Sequence, residues 1–140
     1  MEEKIMRVTF PGGVKVDADY KGYVIRTDQP VYAGGEGSAP APFDLFLASL
    51  ATCAGFYVFA FCRKRQIPTE KLLVYLKTER NPETKMVGKI SLEIILPQGF
   101  PEKYKNAVIR AADTCAVKAH MLNPPAFEIS ARFSSGQDCS

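Results

Sequence analysis

Tryptophan is absent from this chain of 140 residues, histidine occurs once, and neither sign of charge predominates: 18 Lys and Arg stand against 15 Asp and Glu. The lone His120 and the lack of any C-x-x-C pair leave too few ligands for the usual zinc sites, so no metal is expected. A net charge of +3, with positive residues scattered apart from Arg63-Lys64-Arg65, supplies no basic face, and nucleic acid is not an expected partner. Gly and Pro number 10 each, which excludes collagen-like and low-complexity chains. Residues 1–10 (MEEKIMRVTF) begin acidic and lack an apolar stretch followed by small residues, so no secretory signal is expected. The cytoplasm is then the expected compartment, where the cysteines at 53, 62, 115 and 139 stay reduced.

What is present is ordinary for a globular protein: 46% hydrophobic and 24% charged residues. The length suits one domain, 1–140, with a core that needs no staples.

Strands are expected at 4–10, 14–20 and 23–27. Val14, Val16, Ala18 and Tyr20 alternate with Lys15, Asp17 and Asp19, the pattern of a half-buried strand, and Gly12-Gly13 and Lys21-Gly22 supply the turns. The start therefore reads as a three-stranded antiparallel meander. Residues 28–42 form a long loop of Gly, Pro and small residues. A long helix follows over 43–65, preceded by Pro42, with Asp44 in its first turn and Arg63, Lys64 and Arg65 in its last. Strands at about 71–79 and 87–96, a second long helix over 101–119 and a last strand at 126–133 complete the expected order. That order, βββ-α-ββ-α-β, gives an α+β fold class.

Between Phe43 and Cys62 the only charge is Asp44. Length and composition would allow a membrane span, but that would divide the strands between two sides of a bilayer. A helix apolar on all sides must otherwise be covered on all sides. One small sheet covers one face. The remaining face implies a second copy of the chain, so a homodimer with this helix at or near the interface is expected, and no membrane.

Cys53 and Cys62 are nine residues apart, which puts them on opposite faces of the helix and excludes a disulfide between them. Cys53 lies beyond the reach of its own helix dipole. A reactive Cys53 therefore needs a cation or a hydrogen-bond donor from another segment.

Two stretches carry a resemblance. The segment GGEGSAPAPFDLFLASLATCAGF (34–56) combines a Gly-Gly loop, a proline eleven residues before a cysteine, and an apolar helix; AADTCAVKAHM (111–121) places a second cysteine in a helical context. Together with the order of elements they make the chain similar to the OsmC/Ohr family of osmotically inducible and organic hydroperoxide resistance proteins, in its OsmC-like branch. The resemblance implies an intertwined α+β homodimer. It implies a thiol-dependent peroxidase acting on small-molecule organic hydroperoxides in oxidative-stress defence, with Cys53 as the nucleophile and Cys115 as the thiol that resolves its sulfenic acid. No bound cofactor is implied. An external dithiol, such as a lipoylated protein, would return the electrons.

Two positions depart from the peroxidase pattern. Phe43 stands where those members carry Glu, and the hairpin FPGGVK (10–15) lacks their Arg. Asp44 and Arg26 are the candidate supporting groups. Phe43, Phe46, Phe56 and Tyr57 are the candidate substrate pocket, whose apolar lining would favour alkyl hydroperoxides. The alternative is a non-catalytic dimeric protein of the same fold that binds a small apolar ligand.

Overall fold

A computed structural model of the chain describes residues 2–136. Cys139 lies outside the described residues. The fold is α+β: a three-stranded antiparallel sheet, a long helix, a two-stranded antiparallel sheet and further short helices.

The first sheet comprises β1 (Arg7–Gly12), β2 (Lys15–Tyr20) and β3 (Tyr23–Thr27), in the order β1-β2-β3. Lys21 and Gly22 both take positive φ, 52° and 82°, and join β2 to β3 in the tight hairpin geometry that matches strand twist. Register sorts the sheet into two faces. Val8, Ala18 and Ile25 lie opposite one another on one face, with Tyr20 paired to Tyr23 beside them. Arg7 and Asp19 pair on the other face, as do Asp17 and Arg26. The apolar face is uncovered: Val8 is 50% and Tyr23 71% exposed.

The long loop is closed and ordered from inside. The Asp28 N–H donates to the Pro40 carbonyl across its base at 3.2 Å. The buried Asp28 carboxylate then accepts from the N–H of Gln29 (2.8 Å), Glu36 (3.2 Å) and Ser38 (3.0 Å) and from the Ser38 hydroxyl (2.6 Å). These donors hold the Asp28 carboxyl at about 2, with the Ser38 hydroxyl as the leading cause. Gly35 fits because it has no Cβ, which would stand 2.0 Å from the Gln29 carbonyl oxygen. Lys15 on β2 pairs with Glu36 at 2.6 Å and ties the loop to the sheet.

Helix α1 (Pro42–Lys64) starts with proline at its first position, where no N–H is required. Ala41 offers no side-chain acceptor, and the Asp44 carboxylate instead accepts the Ala41 N–H at 2.9 Å. At the other end the Arg65 guanidinium lies 3.7 Å from the Phe61 ring centroid and donates to the Phe61 carbonyl at 3.1 Å. Within the chain α1 is covered on one face only. Only Leu50, Ala54, Val58 and Cys62, a stripe at every fourth residue, are buried, whereas Phe43 and Phe56 are 52% and 61% exposed. The small Ala54 and Ala112 let α1 approach α2 (Lys105–Ala112), and Val58 and Val108 fill the contact. Phe61, Leu72, Ile94, Leu96 and Phe100 pack around it.

Strands β4 (Leu73–Arg80) and β5 (Val87–Ile95) form the second sheet, and β4 contacts α1. The single long helix expected over 101–119 is instead three pieces. A 3-10 turn at Glu102–Tyr104 leads into α2, the chain breaks at 113–115, and α3 (Ala116–Leu122) begins anew. The Thr114 hydroxyl turns back to the Ala111 carbonyl at 2.6 Å, and Cys115 adopts a non-helical φ, ψ of −53°, 122°. The strand expected at 126–133 forms no ladder within the chain. It lies open, with Phe127 85%, Ile129 98% and Phe133 99% exposed, because no edge of either sheet in the same chain takes it up.

The chain exposes 11455 Å². A compact monomer of 15.4 kDa exposes about 7,200 Å² by the usual scaling of surface with mass.

Candidate active site

The break before α3 decides the chemistry. It turns Cys115 into the residue that precedes the first helical N–H groups, and its side chain caps none of them. Cys53, midway along α1, lies beside that break. The groups that act on its thiol are the backbone N–H of Val117 and Ala116 and the Cys115 side chain. The Val117 N–H is the main influence lowering the Cys53 thiol below its ordinary range, partial burial opposes it, and Cys115 and Ala116 add to the lowering. No charged side chain is among these influences. The unbonded N–H groups at the start of a helix need acceptors, and a sulfur on the neighbouring helix can serve as one.

Cys53 is half-buried and Cys115 is 3% exposed, and both are free thiols. Cys62 is a free thiol of another kind. It is fully buried on the core stripe, and burial pushes its thiol up, partly offset by the Arg65 charge.

The other candidate residues stand apart from this pair within the chain. Asp44 is committed to the N-terminus of α1, nine residues from Cys53, or about 13 Å along the helix axis. Arg26 sits on the polar face of the first sheet, across from Asp17. The four aromatics form two groups: Phe43 with Phe46, ring centroids 5.3 Å apart, and Phe56 with Tyr57 at 5.6 Å in an edge-to-face contact. They flank Cys53 along α1 without closing a cavity in the single chain. A cleft of about 300 Å³ lined by Ile67, Pro68, Pro97 and Phe100 lies elsewhere and holds no thiol.

Two features escaped the sequence. The backbone donors of Ala116 and Val117 were hidden by reading 101–119 as one helix; the pair Asp113-Thr114, cap-favouring residues inside a helical pattern, is the signal for the break. Asp28 carries a signal only in its neighbours, Gly, Ser and Pro, which mark a loop but not the carboxylate at its centre.

Fold and site together define an α+β protein with two free cysteines where α1 meets α3, one of them lowered by the start of the helix that the other begins. The OsmC-like protein family profile matches residues 35–130, which contain both cysteines, and the chain belongs to that family. Solved structures share the fold. A Psychrobacter arcticus protein, described as a candidate osmotic stress induced and detoxification response protein, superposes with a TM-score of 0.71 at 24% identity over 85% of this chain and 88% of that one. An OsmC-like protein from Mycoplasma pneumoniae gives 0.67 at 16% identity, over 88% and 89%. An organic hydroperoxide resistance protein from Elizabethkingia anophelis gives 0.57 at 19% identity, over 85% and 89%. No curated protein matches the chain. Helix α1 is long and apolar enough to cross a bilayer by length and composition, but it is the central helix of this globular fold, and no membrane span is indicated.

Proposed function

We propose that the protein is a thiol-dependent peroxidase that reduces organic hydroperoxides in oxidative-stress defence. The observation that carries this reading is the place of Cys53 against the start of α3, which Cys115 begins, where backbone N–H groups favour a thiolate. The Cys53 thiolate attacks the distal peroxide oxygen. The O–O bond breaks, the alcohol leaves with a proton, and Cys53 becomes a sulfenic acid. Cys115 attacks that sulfur, a disulfide forms and water leaves. An external dithiol, a lipoylated protein being the expected donor, reduces the disulfide through a mixed disulfide and is itself oxidised. No bound cofactor takes part. The three described free thiols suit a reducing cytoplasm.

The working unit is a homodimer. The chain exposes roughly 4,000 Å² more than a compact monomer of its mass, an excess on the scale of obligate interfaces. The uncovered surfaces are the apolar face of β1–β3, the outer side of α1 and the alternating segment 126–133. Against a second copy, Phe43, Phe46, Phe56 and Tyr57 line an apolar approach to Cys53, which favours alkyl over hydrogen peroxide.

The test is consumption of cumene hydroperoxide with dihydrolipoamide as donor. Turnover that disappears in Cys53→Ser supports the reading. Its absence in wild type shifts the assignment to a non-catalytic binder of small apolar ligands on the same fold.

A further inference from the structure

The fold gathers positive charge that the sequence sets apart. Segments 63–71 and 102–105 hold six Lys and Arg against two Glu; from totals of 18 and 15, the rest of the chain holds 12 against 13. The packing of Phe61 against Tyr104, ring centroids 5.7 Å apart, brings the C-terminal end of α1 to the start of α2. Arg65 and Lys103 then share one ring: the guanidinium lies 5.3 Å and the ammonium 5.1 Å from the Tyr104 centroid. Arg63 and Lys64 precede the first of these cations, Lys105 follows the second, and all five are exposed. Among the described residues none of the five pairs with a carboxylate, Glu70 and Glu102 included.

Helix dipoles account for only part of this. Arg63 and Lys64 in the last turn of α1 suit its negative end. Lys105 is the first residue of α2, a positive end, and the first turn of α2 contains no acid to offset it. Cations at that end, beside other cations, oppose folding, and nothing within the chain compensates them. An anionic partner does.

We propose that the basic face formed by Arg63, Lys64, Arg65, Lys103 and Lys105 docks the acidic surface of the protein that carries the reducing dithiol; this rests on the peroxidase reading. Other anionic surfaces fit less well. The Tyr104 ring is taken by Phe61, Arg65 and Lys103, so no ring is free for a nucleic-acid base to stack on. No large apolar side chain within 61–72 or 97–105 is exposed, so nothing here inserts into a membrane. Exposed charge without an apolar centre suits a brief, electrostatically steered encounter, which is what an electron donor needs. Arg63 stands ten residues beyond Cys53, about 15 Å along α1. A docked donor must span that distance, so it carries its dithiol on an extended arm, as a lipoyl group on a lysine does.

The test compares two donors: a reduced lipoyl domain with acidic residues around its lipoyl-lysine, and free dihydrolipoamide. Turnover of cumene hydroperoxide is measured with each in wild type, in Lys103→Glu/Lys105→Glu, and in Lys4→Glu/Lys85→Glu, which makes the same change of charge outside these segments. Binding of the fluorescently labelled domain is followed separately by anisotropy. In Lys103→Glu/Lys105→Glu the KM for the domain is expected to rise about five- to thirtyfold, the scale of losing and reversing two exposed charge pairs. Turnover with free dihydrolipoamide stays at the wild-type level, and raised salt weakens the domain's binding to wild type. Tm holds or rises, because acids suit the start of α2, so lost docking is not lost fold. An unchanged KM for the domain overturns the proposal, as does an equal loss with the free dithiol or in Lys4→Glu/Lys85→Glu. Tighter binding to a single-stranded oligonucleotide or to phosphatidylserine vesicles than to the domain also overturns it. Absence of turnover with either donor refutes the peroxidase reading, and anisotropy then decides the docking face alone: salt-sensitive binding lost in Lys103→Glu/Lys105→Glu upholds it, and no binding overturns it.

Discussion

The backbone N–H of Val117, the second residue of α3, is the main influence lowering the thiol of Cys53, midway along α1. Helix α3 has no side-chain cap hydrogen bond of its own, which leaves its first N–H groups facing a residue more than sixty positions earlier. Three things meet here: a lowered thiol, the start of α3, and Cys115, the residue that begins it. A cysteine beyond the first turn of its own helix is thereby lowered without a charged neighbour.

The two helix cysteines are expected to separate cleanly by reactivity. Iodoacetamide labels Cys53 in the native protein with a midpoint below that of a free thiol, and raised salt leaves the midpoint in place because the donors are neutral. Cys62, buried and raised, stays unlabelled until the protein is unfolded. Peptide mass mapping over a pH series in low and high salt reads both.

Asp28 is expected to set the acid limit of the loop. Its folded value of about 2 lies below the ordinary carboxylate range near 3.9. Its contribution to stability is therefore present above about pH 4 and is lost as pH falls toward 2. Asp28→Asn replaces an acceptor by N–H groups that face the donors of Glu36 and Ser38, so Tm falls at neutral pH and the decline in Tm between pH 4 and 2 becomes shallower. Gly35→Ala, which drives a Cβ into the Gln29 backbone and to 2.8 Å from the Asp28 carboxylate, also lowers Tm but leaves an ionisable carboxyl in the loop, so more of the acid decline remains than in Asp28→Asn. Thermal melts across that pH window distinguish the two.

Arg65 closes the far end of α1 by stacking on Phe61, which meets Tyr104 edge-to-face at 5.7 Å. Arg65→Ala is expected to cost about 1 kcal/mol, and Arg65→Lys to recover only part of it, because an ammonium cannot stack as a planar guanidinium does. Urea unfolding of the three proteins measures this.

Sedimentation equilibrium at micromolar concentration is expected to give twice the 15.4 kDa chain mass. Removal of residues from 126 onward is expected to weaken or abolish the dimer, since Phe127, Ile129 and Phe133 are apolar side chains left open by their own chain. A wild-type monomer at that concentration contradicts the homodimer.

The sequence made the scaffold legible where pattern and period agree. Alternation in 14–20, the Lys21-Gly22 turn and the Pro42 start of α1 each carry a strong local signal, and the structure has β2, the hairpin and α1 at those places. The requirement that Cys53 find a donor in another segment was also legible, from its distance along its own helix. The source of that donor was not, because Tyr104, Val108, Ala111 and Cys115 continue a helical period across a break made by Thr114 turning back on its own backbone. Apolar periodicity does not report such local competition. The segment 126–133 has the alternation of a strand, but pairing is a property of two strands, and the chain alone supplies one.

The most direct measurement is a free-thiol count with peptide mapping, before and after one equivalent of cumene hydroperoxide, in wild type and Cys115→Ser. The account predicts the loss of two thiols and a Cys53–Cys115 crosslink in wild type, replaced by a sulfenic acid stalled on Cys53 in the variant. A wild-type protein whose thiols all survive the oxidant contradicts it.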